Sequence, residues 1–176
     1  MPVRAATVVL LFTASTAFAT PRPPPAADPL PVLACALDVP AVAQVGKPVT
    51  LQLRLTHDGP KPVLALIWGT PFEGDWTTAF VHLRRDGTEL PYQGPRPDRG
   101  EPRHDDYMRL SGGASMQAGI DLAQAFDLSR PGRYELRPQI RLHDLWSTGA
   151  TRVARPRARH EPQDLDCPEL RFELVE

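Results

Sequence analysis

Five histidines, His57, His82, His104, His143 and His160, are the side chains of this 176-residue chain best suited to moving protons or holding a metal near neutral pH. Two of them stand beside an aspartate, in "RHDDY" (103–107) and "RLHDLW" (141–146). A working His–Asp dyad needs both side chains on one side of the backbone, whereas adjacent residues of a strand point to opposite faces. His104 and His143 are therefore the positions an enzyme would use, and the histidines otherwise read as dispersed surface residues. Glu73 and Asp75 flank Gly74 and are the pair a carboxylate-based hydrolase would use. On a turn-rich loop, two such acids read first as solubilising groups. The sequence contains no His-Glu-x-x-His zinc helix, no Gly-x-Ser-x-Gly elbow and no Gly-rich phosphate loop. No catalytic residue, metal ligand or cofactor is assigned, and the expectation is a non-enzyme.

Cysteine chemistry points the same way. Cys35 and Cys167 are the two cysteines, and neither has a Cys or His neighbour at zinc-ligand spacing. In an exported chain an even, widely separated pair points to one disulfide closing nearly the whole fold. Export is read from "MPVRAATVVLLFTASTAFA": Arg4 supplies the positive start, Val8 to Phe12 the apolar centre, and Ala17-Phe18-Ala19 the small-residue cleavage signal. The expected organisation is a secretory signal peptide at 1–19, cleaved near Ala19, a Pro-rich tether at 20–31, and a single domain over 32–176. Such a protein is secreted or periplasmic. "VLAC" before Cys35 loosely resembles a lipoprotein box, but prolines and not an apolar core precede it, so lipidation is not expected. No later run approaches the roughly 20 apolar residues of a membrane span.

The formal net charge of −1 lacks the basic field that nucleic-acid binding requires. "RVARPRARH" (152–160) is locally basic, yet Glu161, Asp164, Asp166 and Glu169 follow it, so the two segments are read as offsetting each other along a surface loop.

The elements that must position these groups are strands. In "PVTLQLRLTHDG" Val49, Leu51, Leu53 and Leu55 alternate with Thr50, Gln52, Arg54 and Thr56, the pattern of a half-buried strand. "KPVLALIW" (61–68) is apolar on both faces and predicts a central strand. "AFVHLRRDGTEL" (79–90) predicts a hairpin turning at Asp86-Gly87. "SMQAGIDL" (115–122), "GRYELRPQIRLHD" (132–144) and "LRFELVE" (170–176) alternate again. The one helical candidate, "DLAQAFDLS" (121–129), has Asp121 as its N-cap and room for a turn or two. Tyr134 lies just inside a strand after a turn glycine, the setting of a tyrosine corner. The predicted fold is all-β: an immunoglobulin-like antiparallel Greek-key sandwich, with at most one or two short helical turns and long loops near 69–78, 91–106 and 143–168.

One of those loops has an unusual composition. "LIWGTPFEG" (66–74) and Trp76 place aromatic residues around a Gly-Thr-Pro break. Two readings are open. Trp68, Thr70, Pro71, Phe72, Glu73 and Trp76 form either a plug packed into the sandwich or an outward partner-binding loop, since exposed aromatic anchors are what interfaces use.

Three segments in order, "PVLALIWGTPFEG", "DGTELPYQGPRPDRGEPRHDDYMRLSGG" and "IDLAQAFDLSRPGRYEL", resemble the non-catalytic, pro-type N-terminal β-domain of bacterial proteins in the deuterolysin family, the peptidyl-Lys zinc metalloendopeptidases. The resemblance covers roughly residues 36–143. In that family the domain precedes a catalytic domain with a His-Glu-x-x-His helix. This chain lacks that motif, so the peptidase domain is expected to be absent and no metal ligand carries over. What the resemblance implies is a domain that assists folding of a secreted zinc metalloendopeptidase or covers it. The expectation for this exported chain is a monomeric binding module that acts on such an enzyme in trans, as inhibitor or folding partner. The alternative is a ligand- or glycan-binding sandwich that uses exposed Trp68, Trp76 and Trp146 as stacking faces.

Overall fold

The computed structural model describes residues 32–147, 149 and 154–176. The expected signal peptide and tether lie outside the described residues. Thirteen strands follow in order: β1 (Ala34–Asp38), β2 (Val42–Gln44), β3 (Thr50–His57), β4 (Val63–Leu66), β5 (Val81–Arg85), β6 (Thr88–Leu90), β7 (Tyr107–Leu110), β8 (Ala114–Asp121), β9 (Gly132–Pro138), β10 (Arg141–Leu142), β11 (Leu145–Ser147), β12 (Gln163–Asp164) and β13 (Leu170–Val175).

The leucine alternation of β3 places it between β1 and β8, both antiparallel to it. Facing this sheet is a five-stranded one in the order β2-β13-β9-β5-β6, in which only the β13–β2 pair is parallel. In an immunoglobulin-like sandwich, strands A, B and E share one sheet and C, F and G the other. Here β1, β3 and β8 fill the first set of places and β5, β9 and β13 the second, so the chain is an immunoglobulin-like β-sandwich. Leu51, Leu53, Leu55 and Ile120 from one sheet meet Val81, Leu83, Leu136 and Phe172 from the other in one hydrophobic cluster. Each fully buried leucine contributes about 1.5–3 kcal/mol relative to an exposed one.

Three local devices hold the frame. Asp86 and Gly87 both have positive φ (47° and 79°), as a two-residue hairpin turn between Arg85 and Thr88 demands. The Asp86 carboxylate also accepts from the Arg133 N–H at 3.1 Å, tying the turn to β9. Tyr134 stacks on Phe172 at 4.9 Å between centroids and donates its hydroxyl to the Arg130 carbonyl at 2.7 Å. Cys35 on β1 is bonded to Cys167 just before β13, across 132 positions of sequence. By the chain-entropy model, closing a loop of this length contributes roughly 4–5 kcal/mol.

The sequence expectations differ from the structure in the helical and loop segments. Residues 121–129 form a single 3-10 turn, Leu122–Gln124, with the Asp121 carboxylate accepting from Ala123 N. The chain leaves the helical path there because Phe126 and Leu128 are drawn into the core. Four 3-10 turns occur among the described residues, more than the one or two expected, at Pro71–Glu73, His104–Asp106, Leu122–Gln124 and Arg157–Arg159. The 143–168 stretch contains β11 and β12. β11 pairs with one edge of β4 and β7 with the other. All four residues of β4 are buried because Val63 and Ala65 pack into the main core while Leu64 and Leu66 pack into a second cluster on the opposite face.

Candidate functional site

The 68–76 loop turns inward. Trp68, Thr70, Pro71 and Trp76 are buried, and Phe72 and Glu73 are half-buried, so the loop presents no exposed aromatic patch. Thr70 starts the 3-10 turn by accepting from Phe72 N, and it donates its hydroxyl to the Ile67 carbonyl at 2.6 Å. Gly69 has φ +69°, and a Cβ there would meet the Thr78 methyl at 2.9 Å, so a side chain is excluded on both counts. Glu73 is the organiser: its carboxylate accepts from Gly69 N at 2.7 Å and from the Thr77 hydroxyl, and it pairs with Arg99. That use of Glu73 within the loop removes it from a hydrolytic pair with Asp75, which is exposed. Trp76 stacks on Phe80 at 4.4 Å, meets Phe126 edge-on at 5.6 Å, and donates its indole N–H to the Asp121 carbonyl at 2.8 Å.

Trp68 belongs to a second cluster, with Leu64, Leu66 and Tyr107, on the far side of β4 from the main core. The Arg99 guanidinium covers its ring at 4.9 Å. Beside this cluster sits Asp144, with 0% of its surface exposed. Its carboxylate accepts from the Tyr107 hydroxyl at 3.0 Å and from Glu161 N at 2.9 Å, and it lies 3.4 Å from the Arg155 guanidinium. Burial, and secondly the Asp144 carboxylate, hold the Tyr107 phenol well above its usual range, so it stays protonated and donates. Arg155 in turn stacks over Trp146 at 4.6 Å. His160 Nε2 lies 3.0 Å from the Arg155 carbonyl and 3.4 Å from the Tyr107 hydroxyl, closing the network.

This network backs an open cleft of about 720 Å³. Its walls carry Arg96, Arg99, Arg141, Arg157, His143 and His160, with Asp98 as the one acidic residue lining it among the described residues. Trp68 and Gly69 form part of the floor, and Thr77 and Thr78 stand alongside. The His143 imidazole makes no hydrogen bond to any described residue. Burial first, then the neighbouring Arg141, His160, Arg157 and Arg99 charges, push its pKa down. Such an arrangement of guanidinium and imidazole groups is suited to receiving an oxyanion, because planar arginine forks match carboxylate geometry.

Several sequence-based site readings change here. His143 and Asp144 do point to opposite sides, one to the cleft and one to the interior, so they form no dyad. His104 pairs with Asp105 at 2.9 Å on the exposed surface, away from that cleft lining. His143 and His160, read as dispersed, line one cleft because β10 and the segment after the Arg157–Arg159 turn meet there. Among the described residues no group of three or more His, Cys, Asp or Glu side chains is disposed to hold a metal. Of the tryptophans read as stacking faces, Trp76 is in the core, and Arg99 and Arg155 lie over the rings of Trp68 and Trp146 respectively. The only advance signal for the cleft was the arginine content of 91–106 and 152–160.

Comparison with known proteins places this geometry in a context. No protein-family model matches the chain. An extracellular protease of Aeromonas hydrophila is 33% identical over 89 residues, which span 51% of this chain and 25% of that protein. The chain thus matches a quarter of its relative's length. Among solved structures, the CARDB domain of the PF1109 protein from Pyrococcus furiosus, in complex with di-metal ions, has a TM-score of 0.34 at 11% identity, covering 84% of this chain and 90% of that one. The alkylpurine DNA glycosylase AlkC of Pseudomonas fluorescens, bound to DNA containing an abasic site analog, has a TM-score of 0.33 at 14% identity, covering 82% and 30%. The fold assignment rests on strand order and register, not on these two likenesses. No helix of the described residues is long and apolar enough to cross a membrane.

Proposed function

We propose that this protein is a non-catalytic, exported β-sandwich module that acts in trans, as a monomer, on a secreted zinc metalloendopeptidase. Its role is that of an inhibitor or a folding partner. The observation that carries this reading is the 33% identity to an extracellular protease, confined to a quarter of that enzyme's length. On this reading the matched portion is the pro-type, non-catalytic domain of deuterolysin-like enzymes, and the present chain is a related module. The absence of a His-Glu-x-x-His motif from the sequence supports a role other than hydrolysis. On this reading the contact surface is the polar lining of the cleft beside the inward-packed 68–76 loop.

The test titrates the purified, oxidised chain against a Lys-specific endopeptidase of the deuterolysin type. Casein cleavage, integrity of the added chain, and recovery of protease activity after refolding in its presence are followed together. Saturable 1:1 loss of activity, or a stoichiometric gain in refolding yield, is the expected result. Full activity at large molar excess with no gain in refolding, or rapid digestion of the chain, overturns the proposal.

A further inference from the structure

Four arginines line one cleft of this protein. Arg96 lies over the Tyr92 ring at 5.5 Å and has no carboxylate partner among the described residues. Arg141 reaches only a loose, exposed contact with Asp164 at 3.7 Å. Arg157 is held from behind: its backbone N–H donates to Glu101 at 2.9 Å and its guanidinium to the Arg99 carbonyl at 2.9 Å. Arg99 is fixed by Glu73 below and by the face of Trp68. Gathering this much positive charge costs free energy through self-repulsion, and a fixed, pre-oriented set recovers it only when an anion enters.

A second observation is independent of the arginines. The indole N–H of Trp68, a residue 8% exposed that lines the same cleft, is buried and has no acceptor among the described residues. Leaving a buried donor unpaired forfeits its hydration without a replacement bond. Such an atom is uncommon in a well-packed interior, and Trp76, at the other end of the loop, has its acceptor.

The size and setting of the cleft narrow the ligand. At about 720 Å³ it is a pocket of the kind that holds an extended molecule and not a lone ion. Proline and tryptophan surfaces (Pro97, Pro162, Trp68) alternate with the charges, and offer apolar contact to the stems of a peptide. A formal net charge of −1 supplies no extended basic field for a nucleic-acid backbone, whereas a short acidic segment needs only the local arginine cluster.

We infer that this cleft is a binding site for an acidic peptide segment, with Arg96, Arg141 and Arg157 receiving two or more of its carboxylates above the Arg99–Trp68 floor. The site stands on its own geometry and survives failure of the protease reading. Whether the peptide belongs to a protease or to another protein, the recognising chemistry is the same.

The test uses the full oxidised chain and a terminally blocked tetraglutamate peptide at low ionic strength, followed by calorimetry and by the NMR titration of His143. Binding is expected to weaken as salt rises. The His143 imidazole is expected to move up in pKa on saturation, because a nearby carboxylate favours its charged form. The Arg96→Ala/Arg141→Ala double variant is expected to lose affinity by about tenfold or more, with its amide spectrum otherwise preserved. Arg171→Ala, at an arginine 81% exposed and outside the cleft, is expected to keep it. Absence of binding overturns the inference, as does equal binding of tetraglutamine or an unmoved His143. Equal loss in Arg171→Ala would mean diffuse charge attraction and overturn it too. Tighter binding of inorganic phosphate or a sulfated oligosaccharide at the same residues would replace the peptide with a different anion, and would also overturn it. The His143 titration is made on the unaltered chain, so the question does not depend on the variants folding.

Discussion

Trp68 and Trp76 stand at the two ends of one loop and are buried to nearly the same degree, at 8% and 3% exposure, yet their surroundings differ in kind. Trp76 sits among Phe80, Tyr92 and Phe126, and its single polar atom is satisfied by the Asp121 carbonyl. Trp68 sits beneath a guanidinium, beside a tyrosine that is bonded to a fully buried aspartate, with its own N–H unpaired among the described residues. The first environment is what packing alone produces. The second stores charge and unsatisfied polarity directly under a cleft, a combination that costs stability and that stability alone does not explain. The contrast separates the part of this loop that builds the sandwich from the part that faces function.

The largest effect is expected at the packed end. Trp76→Ala removes a ring from the aromatic cluster and should cost about 3–5 kcal/mol in denaturant unfolding. A loss below about 1 kcal/mol would show that the cluster does not anchor the loop. At the polar end, Asp144→Ala strips the acceptor from the Tyr107 hydroxyl, the Glu161 N–H and the Arg155 charge. Breaking a buried pair in this way should cost roughly 3 kcal/mol. Asp144→Ala should also loosen the cleft wall, visible as faster amide exchange over 155–161.

A finer comparison uses the same substitution at both ends. Trp76→Phe loses the bond to the Asp121 carbonyl, whereas Trp68→Phe removes a donor that has no acceptor. The first should therefore be more destabilising than the second by about 1–2 kcal/mol. Equal losses would mean that the Trp68 N–H is satisfied after all.

The smallest expected effect concerns protons, and it has opposite sign in two regions. In the cleft, His143 has a folded-state pKa depressed by burial and by its cationic neighbours. As pH falls below the unfolded value of about 6.5, the unfolded chain takes up the proton first. Stability then falls until the pH drops below the folded pKa. On β5, His82 has a raised folded pKa, from its hydrogen bond to Gln139 and then to Glu89, the latter at 3.0 Å. Its contribution is fully present below the unfolded value and is lost as pH rises through the folded one. His143→Gln should therefore flatten the acid-side loss of stability, and His82→Gln should remove the acid-side gain. Melting temperatures measured across pH 5–8 for both variants check this, and a shared sign would contradict it.

Much of the frame was legible in the chain because local rules and global packing agree there. The leucines of β3 alternate with polar residues, β4 is apolar on both faces and lies between two strands, and Asp86-Gly87 can occupy positive φ. The strands that were not legible, β1, β2, β7, β11 and β12, are short and depend on partners. β11 is three residues long and exists as a strand by pairing with Leu64 and its neighbours. β12 consists of two residues paired with β10. Neither has a periodicity long enough to read.

The division for this protein follows from range. Its sequence alone determined an all-β sandwich, because alternation and turn chemistry act over a few residues and leave a direct trace. Only the tertiary structure decided that the aromatic loop faces inward, that His143 and Asp144 part company, and that arginines from 96, 99, 141 and 157 share one cleft. Those outcomes depend on contacts between residues far apart in sequence, here Arg157 and the Arg99 carbonyl, 58 positions away. No local pattern encodes such a meeting; it follows from which strand edges β4 and β10 find when the sheets close.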